Sequence, residues 1–311
     1  MILGIDTSCY TTSVAVVSLS GELVGEARIP VPVDIGKQGV AQSQALFRHV
    51  RQLPCCLEEL FTGFSGDILG VCASVKPRPA EESYMPVFCA GESAGRNVAA
   101  VLGVPFYKTT HQESHLAAAV WSSGDGDIPD DFLAVHLSGG TTELLRISRL
   151  TVGFDINLLG GSDLAAGQMI DRIGVAMGLP FPAGPFLETL AADYDSGIKL
   201  PVSVSGMNIS FSGPESQAQR LLKRGADKSG LAAAVLDNIA LSIVKAAKNA
   251  AKQTGLRKLL LMGGVMANMR IRNVISGISG EGIEVFFAKP AFSGDNAVGT
   301  ALLGLAQHVK K

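Results

Sequence analysis

Twice along the chain an apolar strand runs into a short turn rich in small hydroxyl residues and leaves it as a second apolar strand. The first copy is Ile2–Asp6, the turn Thr7-Ser8-Cys9-Tyr10-Thr11-Thr12, and Ser13–Leu19. The second is Phe132–Leu137, the turn Ser138-Gly139-Gly140-Thr141-Thr142, and Glu143–Ile147. Short apolar runs bounded by turn residues read as buried core strands. Their recurrence marks an internal duplication, and it divides the chain near residue 125, within the Gly/Asp/Pro-rich break Ser122–Asp131.

The remaining pattern fills in two α/β halves. Glu22–Ile29, Ile68–Val75, Val104–Tyr107 and Lys258–Met262 read as further strands. Helical spacing covers Gln42–Leu60, Ala90–Leu102, Leu231–Gly255 and Asn296–Val309. In the first of these, Leu46, Val50, Leu53 and Leu57 share one side, and Pro54 should kink or break the helix. A glycine-punctuated helical insert around residues 160–230 interrupts the second half. A doubly wound dinucleotide fold would place Gly-x-Gly-x-x-Gly directly after the first strand, and this chain has Asp6-Thr7-Ser8 there. The expectation is a duplicated actin-like ATPase fold, ribonuclease H-like, with lobes at 1–125 and 126–311 and a nucleotide cleft between them.

Hydrophobic residues make up 47% and charged residues 17%, which fits well-buried α/β lobes and excludes a disordered chain. The formal net charge of -2 gives no general footprint for nucleic acid, so an RNA partner needs a local basic face or a partner subunit. Lys223, Arg224, Lys245, Lys248, Lys252, Arg257, Lys258, Arg270 and Arg272 gather in the C-terminal half, where solvated helix faces account for them as well. Cys9, Cys55, Cys56, Cys72 and Cys89 are an odd number without metal-ligand spacing, which fits a reduced, cytoplasmic protein. The opening Met1–Asp6 meets a carboxylate at once, unlike a signal peptide. No uninterrupted apolar run approaches membrane-spanning length, so no membrane partner is expected.

Turns of small residues leave backbone amides free to point at phosphate oxygens. Ser138, Gly139 and Gly140 suit that role, although an ordinary hairpin turn is the plainer reading of either turn alone. Strand Lys258–Met262 enters Gly263-Gly264 and then a helix start, with Asn268 placed to bond a purine or ribose; a plain strand-to-helix turn uses glycine too. Asp163, Asp171 and Glu188, with Gly184, form an acidic set whose carboxylates would accept from ribose hydroxyls. Helix caps and solvated faces explain Asp163 equally well. His111 and His115 are spaced to share one helix face and one metal ion. A lone His-x-x-x-His is more often a surface coincidence and needs a third ligand, for which Asp295 is the candidate.

Together these segments resemble the tRNA threonylcarbamoyladenosine synthase family, long labelled O-sialoglycoprotein endopeptidases or glycoproteases, over nearly the whole chain and in the same order. Gly4-Ile5-Asp6-Thr7-Ser8-Cys9 looks like the family's opening motif, Thr110–His115 like its histidine motif and Leu137–Gly140 like its second phosphate turn. Gly167–Arg172 followed by Gly178–Pro185 is similar to its sugar-binding segment, and Ser210–Gly213, Gly263–Asn268 and Gly294–Asn296 complete the set. The resemblance implies one divalent ion, iron or zinc, held by His111, His115 and Asp295 beside the phosphates of ATP or an acyl-adenylate, with magnesium as a companion of the nucleotide. It further implies Ser138, Gly139 and Gly140 at the phosphate, Asp171 at the ribose, and Gly184 and Asn268 at the nucleoside. The family's reaction moves a threonylcarbamoyl group from an adenylate to the exocyclic amine of the adenosine beside the tRNA anticodon. Implied partners are therefore an adenine nucleotide, tRNA and other subunits of a tRNA-modification complex. No catalytic side chain is singled out, since the ion and the backbone amides would carry the chemistry.

The chain also departs from the family. Tyr10 and Thr11 stand where two acidic residues are usual, and Lys76-Pro77-Arg78-Pro79 replaces a Gly-Pro-Gly loop. Thr141 replaces a third histidine, Gln168 a glutamate before the ribose aspartate, and Pro214-Glu215 a Leu-Lys pair. These changes describe a divergent paralogue, and two functions compete for it: a threonylcarbamoyl- or related carbamoyl-transferase, and a nucleotide-binding scaffold or regulatory subunit. A metallopeptidase reading fails on register, because helical zinc peptidases want His-Glu-x-x-His and Glu113 here follows Gln112. A simple ATPase or small-molecule kinase is open to the same fold.

Overall fold

Strands that are apolar on both faces need helices on both sides, and this chain supplies them to two five-stranded sheets. The computed structural model describes residues 1–8, 10–33, 40–62, 66–124, 128–192, 194 and 197–310. The dividing point near residue 125, and Cys9 of the opening motif, lie outside the described residues.

The first half contains β1 (Ile2–Ser8), β2 (Thr11–Val17), β3 (Leu23–Pro30), α1 (Gln42–Phe61), β4 (Gly70–Lys76), α2 (Phe88–Leu102), β5 (Phe106–Thr110) and α3 (His111–Ser122). Its sheet runs β3-β2-β1-β4-β5. The first three strands are antiparallel, and β4 and β5 lie parallel to β1.

The second half opens with β6 (Asp131–Leu137), β7 (Thr142–Arg149) and β8 (Phe154–Gly161). There follow α4 (Ala166–Ala176), α5 (Gly184–Ala191), a two-stranded ribbon of β9 (Val204–Ser205) and β10 (Asn208–Ile209), α6 (Ser212–Lys223) and the long α7 (Lys228–Thr254). The half closes with β11 (Lys258–Met262), α8 (Met269–Ser276), β12 (Glu284–Phe287), α9 (Pro290–Ser293) and α10 (Val298–Val309). Its sheet order, β8-β7-β6-β11-β12, repeats the first sheet position for position, with the same parallel and antiparallel neighbours. The duplication expected from the two strand–turn–strand units is thus a duplication of topology.

Alternate residues of each strand serve different cores. On β1, Leu3 and Ile5 share a core with Leu53, Cys56 and Ala90 of α1 and α2, whereas Ile2 packs with Ala301 of α10. On β6, Leu133, Val135 and Leu137 share a core with Ile239 and Ile243 of α7, while Phe132 and Ala134 pack with Leu116 and Ala119 of α3. The chain therefore crosses over twice. Helix α3 leaves the first sheet and packs on the second, and α10 leaves the second and packs on the first. The two helices cross so closely that a Cβ on Gly299 would lie 1.8 Å from the Ser114 carbonyl oxygen. A hydroxyl pair, Ser114 Oγ and Thr300 Oγ1 at 2.8 Å, ties the crossing.

Helix α1 continues unbroken through Pro54. Proline leaves the carbonyl four residues earlier without its donor, and here Val50 is 56% exposed, so water can serve that carbonyl. The buried stripe is Ala45, His49, Leu53, Cys56 and Leu60, rotated from the expected side. Helix α7 is also at odds with expectation, since by length and composition it is long and apolar enough to cross a membrane. Most of it is instead buried in the second half, where Leu231, Leu236, Ile239 and Ala250 are core residues. Helix α6 falls within the helical insert expected around residues 160–230, whereas strands β8 and β12 and the β9–β10 ribbon were not expected from the sequence pattern.

Candidate functional site

Strand β5 delivers Thr110 to the start of α3, where it forms a reciprocal cap with Glu113. The Glu113 N–H donates to Thr110 Oγ1 (3.3 Å), and the Thr110 N–H donates to Glu113 Oε2 (3.2 Å). This cap fixes the start of α3, so His111 lies in its first turn and His115 one turn along the same face. It also engages Glu113, which leaves no carboxylate there in the position a peptidase base needs. At the other end of the chain, Asn296 folds the segment between α9 and α10. Its Nδ2 donates to Phe292 O (3.1 Å) and Gly294 O (2.8 Å), and its Oδ1 accepts from the Val298 N–H (3.1 Å). With α10 seated on α3, this turn carries Asp295 to the histidine pair.

The three side chains meet. His111 Nε2 and His115 Nε2 stand 3.0 Å apart, and Asp295 Oδ1 lies 3.3 Å from the latter and 3.6 Å from the former. Ligand atoms about 2.0–2.1 Å from a tetrahedral ion stand about 3.3 Å from one another, so the triangle has the size a zinc-like ion requires. Two imidazoles and one carboxylate also suit iron. His111 Nδ1 lies 3.1 Å from Asp6 Oδ1. Asp6 is fully buried and accepts as well from Ser74 Oγ and from the Ser8 N–H (3.3 Å). A carboxylate on Nδ1 turns Nε2 toward the cluster, as the outer partner of a metal-bound histidine does.

Charge follows the geometry. Burial works to lower the His111 pKa, but Asp6 and Asp295 overcome it and raise the value to about 9. Burial works to raise Asp295, yet the His115 hydrogen bond and the positive fields of the two histidines hold it well below the usual carboxylate range. Asp6 is lowered in the same way, burial being outweighed by His111 and Ser74. Without an ion, a proton on His111 holds the cluster together.

Above the cluster opens a cleft of about 480 Å³, lined by Ser138, Gly139, Gly140, Thr141, Gly264 and Asp295 among others. This volume lies within the range of small-molecule sites, roughly 300–1,000 Å³. The turn is closed by Ser138 N–H donating to Thr141 O (2.8 Å) and Thr141 N–H donating to Ser138 Oγ (3.1 Å). Helix α4 passes so near that a Cβ on Gly167 would lie 2.6 Å from Gly139 Cα, whereas Gly139 and Gly140 face open space. A larger depression of about 740 Å³ lies on the first half around Phe61, Val98, Val101 and Leu102. Among the described residues its lining holds no histidine and one carboxylate, Asp67, so these offer no comparable chemistry.

The acidic and nucleoside residues form a separate group that does not line this cleft. Asp171 Oδ1 accepts from the Ala183 N–H (2.7 Å), beside Gly184, and burial raises its pKa despite that bond. Glu188 Oε1 accepts from the Met269 N–H (2.6 Å), and Asn268 Oδ1 caps α8 by accepting from the Ile271 N–H (3.0 Å). Asp163 gathers the Ser210–Ser212 turn, accepting from Ser210 Oγ (2.7 Å) and the Phe211 N–H (2.8 Å). In the basic C-terminal set, Arg270 pairs with Asp237 at 2.7 Å and Lys248 with Glu281 at 2.6 Å.

Sequence reasoning missed Asp6 as the partner of His111, and it missed His136. His136 is 5% exposed, its ring centroid is 5.0 Å from that of His115, and neither ring nitrogen has a hydrogen-bond partner among the described residues. Burial, reinforced by His115 and His111, pushes its pKa well below the ordinary value. The signal was alternation: Phe132, Ala134 and His136 fall on the β6 face toward α3, and Glu143 is the partner of His136 across the sheet.

Two lobes of repeated topology with a diglycine turn and a His/His/Asp cluster at their junction define an actin-like ATPase fold. Solved structures agree. Component A of the (R)-2-hydroxyglutaryl-CoA dehydratase of Acidaminococcus fermentans is similar with a TM-score of 0.60 and 16% identity, covering 99% of this chain and 98% of that one. A ROK family glucokinase from Streptomyces griseus, in complex with glucose and AMPPNP, has a TM-score of 0.55 and 14% identity, with 97% and 98% covered. The family model of tRNA N6-adenosine threonylcarbamoyltransferase (TsaD) matches residues 84–302. The enzyme of that name from Thermus thermophilus is 32% identical over 313 residues, covering 99% of this chain and 93% of its own. The chain belongs to the tRNA N6-adenosine threonylcarbamoyltransferase family, and so to the transferases that modify tRNA.

Proposed function

We propose that this chain transfers a threonylcarbamoyl or related carbamoyl group from an adenylate to a tRNA adenosine, and that a divalent ion at His111, His115 and Asp295 is required. The observation that supports this reading best is the triangle of 3.0, 3.3 and 3.6 Å among their ligand atoms, with Asp6 orienting His111 from behind. Bound there, the ion would supply Lewis acidity and a template for the acyl-adenylate. The amides of Ser138, Gly139 and Gly140 would hold the phosphate that departs when the exocyclic amine adds to the carbamoyl carbonyl. Asp171, Gly184, Glu188 and Asn268 would contact the sugar and base from the second lobe, once the nucleotide replaces some of their present backbone bonds. The lobes are taken as residues 1–125 and 126–311, and other subunits of a modification complex would bring the tRNA.

Metal analysis and mass spectrometry of the protein as isolated, followed by a transfer assay with acyl-adenylate and tRNA, test this reading. The expected result is one ion per chain, with transfer lost on chelation and restored by zinc or iron. Full transfer after chelation, or a stoichiometric ion in Asp295→Asn, would refute it. A second reading, a nucleotide-binding scaffold or regulatory subunit, is favoured by Tyr10, Thr11 and Gln168, which stand where the family pattern has carboxylates. Tight nucleotide binding with no transfer would select it.

A further inference from the structure

The segment Lys76-Pro77-Arg78-Pro79 is held at both sides by hydrogen bonds. The Gln112 N–H donates to Pro77 O (3.0 Å), and the Arg78 N–H donates to Ser83 Oγ (3.1 Å). Lys76 turns away, its Nζ donating to Ala80 O (3.0 Å). Arg78 instead reaches from the first lobe to the second, where a terminal guanidinium nitrogen lies 2.8 Å from Glu143 Oε1. The other oxygen of Glu143 accepts from Gln112 Nε2 (2.9 Å).

This pair is unequal. The Glu143 side chain is 9% exposed and that of Arg78 is 48% exposed. A guanidinium carries five N–H donors in a planar fork, and one carboxylate oxygen on one nitrogen leaves most of that fork facing the cleft. Among the described residues lining the cleft, Arg78 is the only lysine or arginine, set against the carboxylates of Glu143 and Asp295. An arginine held from behind by a carboxylate is suited to bind an oxyanion through two parallel hydrogen bonds.

We propose that Arg78 forms an oxyanion subsite at the mouth of the cleft, with Glu143 and Gln112 as positioning residues behind it. The ligand is a phosphate of the nucleotide or a free carboxylate on the transferred acyl group. The inference rests on the transferase reading only for the identity of that ligand. Binding of inorganic pyrophosphate, AMP, N-carbamoyl-threonine and adenosine is measured by titration calorimetry on the full chain, as wild type, Arg78→Gln and Arg78→Lys. Arg78→Gln should weaken AMP and pyrophosphate by about 10- to 100-fold if the ligand is phosphate, or N-carbamoyl-threonine alone if it is carboxylate. Adenosine should be unaffected, and Arg78→Lys should recover little, because lysine lacks the fork. The double variant Arg78→Gln/Glu143→Gln, which leaves no unpaired buried charge, should show the same loss in a stable protein.

Unchanged affinity for every anion in Arg78→Gln, a fall in adenosine affinity to match, or a wild type that binds no anion overturns the subsite. A wild type that binds pyrophosphate through Arg78 but neither AMP nor adenosine supports the subsite and refutes the nucleotide reading.

Discussion

Raising the pH of the metal-free protein should loosen its histidine–carboxylate cluster, because a proton on His111 holds it together. Asp6 and Asp295 raise the His111 pKa to about 9 against the opposing effect of burial. Relative to the ordinary value near 6.5, that corresponds to at most about 3 kcal/mol of folding free energy. The folded-state pKa lies above the unfolded one, so this contribution is complete below pH 6.5 and is lost as the pH rises through 9. For a chain of this size the loss would lower Tm by about 5 °C at most. Urea unfolding of chelator-treated protein between pH 6 and pH 10, followed by circular dichroism, measures it. Asp6→Asn is the control, since it removes the nearest source of the raised pKa and should flatten the profile. Metal binding should run the other way over the same window, tightening as the pH rises while the ion displaces the His111 proton. Metal-free stability that is flat or rising between pH 6.5 and pH 9.5, or a slope unchanged in Asp6→Asn, would refute this reasoning.

His111→Ala should abolish stoichiometric zinc or iron binding while leaving the circular dichroism spectrum intact, as elemental analysis would record. Gly299→Ala forces a Cβ toward the Ser114 carbonyl at the α3–α10 crossing, so it should destabilise the protein by about 3 kcal/mol in urea and weaken metal binding by displacing Asp295. His136→Leu removes two buried ring nitrogens that have no hydrogen-bond partner among the described residues and should stabilise the metal-free protein by about 1 kcal/mol or more. A loss of stability in urea would show that the imidazole is satisfied after all.

Much of the fold was legible because it depends on local pattern. The two strand–turn–strand units repeat within a few residues of each other's spacing, and the shared topology follows from that repetition. The α1 stripe was misread because apolar content is not burial. Val50 is exposed, while His49 is buried with its Nδ1 2.8 Å from Thr12 Oγ1. The helix continues past Pro54 because a freed carbonyl on a wet face costs little. At the site, the spacing of His111 and His115 was visible, but the arrival of Asp295 was not. It depends on a crossing of helices whose glycine contact joins residues far apart in sequence, and only the family resemblance anticipated it. Asp6 and His136 escaped notice because a single polar residue in an apolar strand announces neither its face nor its neighbour. Asp171 and Glu188 were visible as carboxylates, but the backbone amides they accept from were not.

Helices α3 and α10 each rest on the sheet that the other leaves, and the side chains of His111, His115 and Asp295 meet beside that crossing. An ion there would act as a rivet through the hinge. Any swing of one sheet against the other must stretch the edges of a triangle only a few ångströms wide, so tight coordination and free swinging exclude each other. If an ion binds one lobe angle more tightly than another, its occupancy and that angle would bias each other to the same degree.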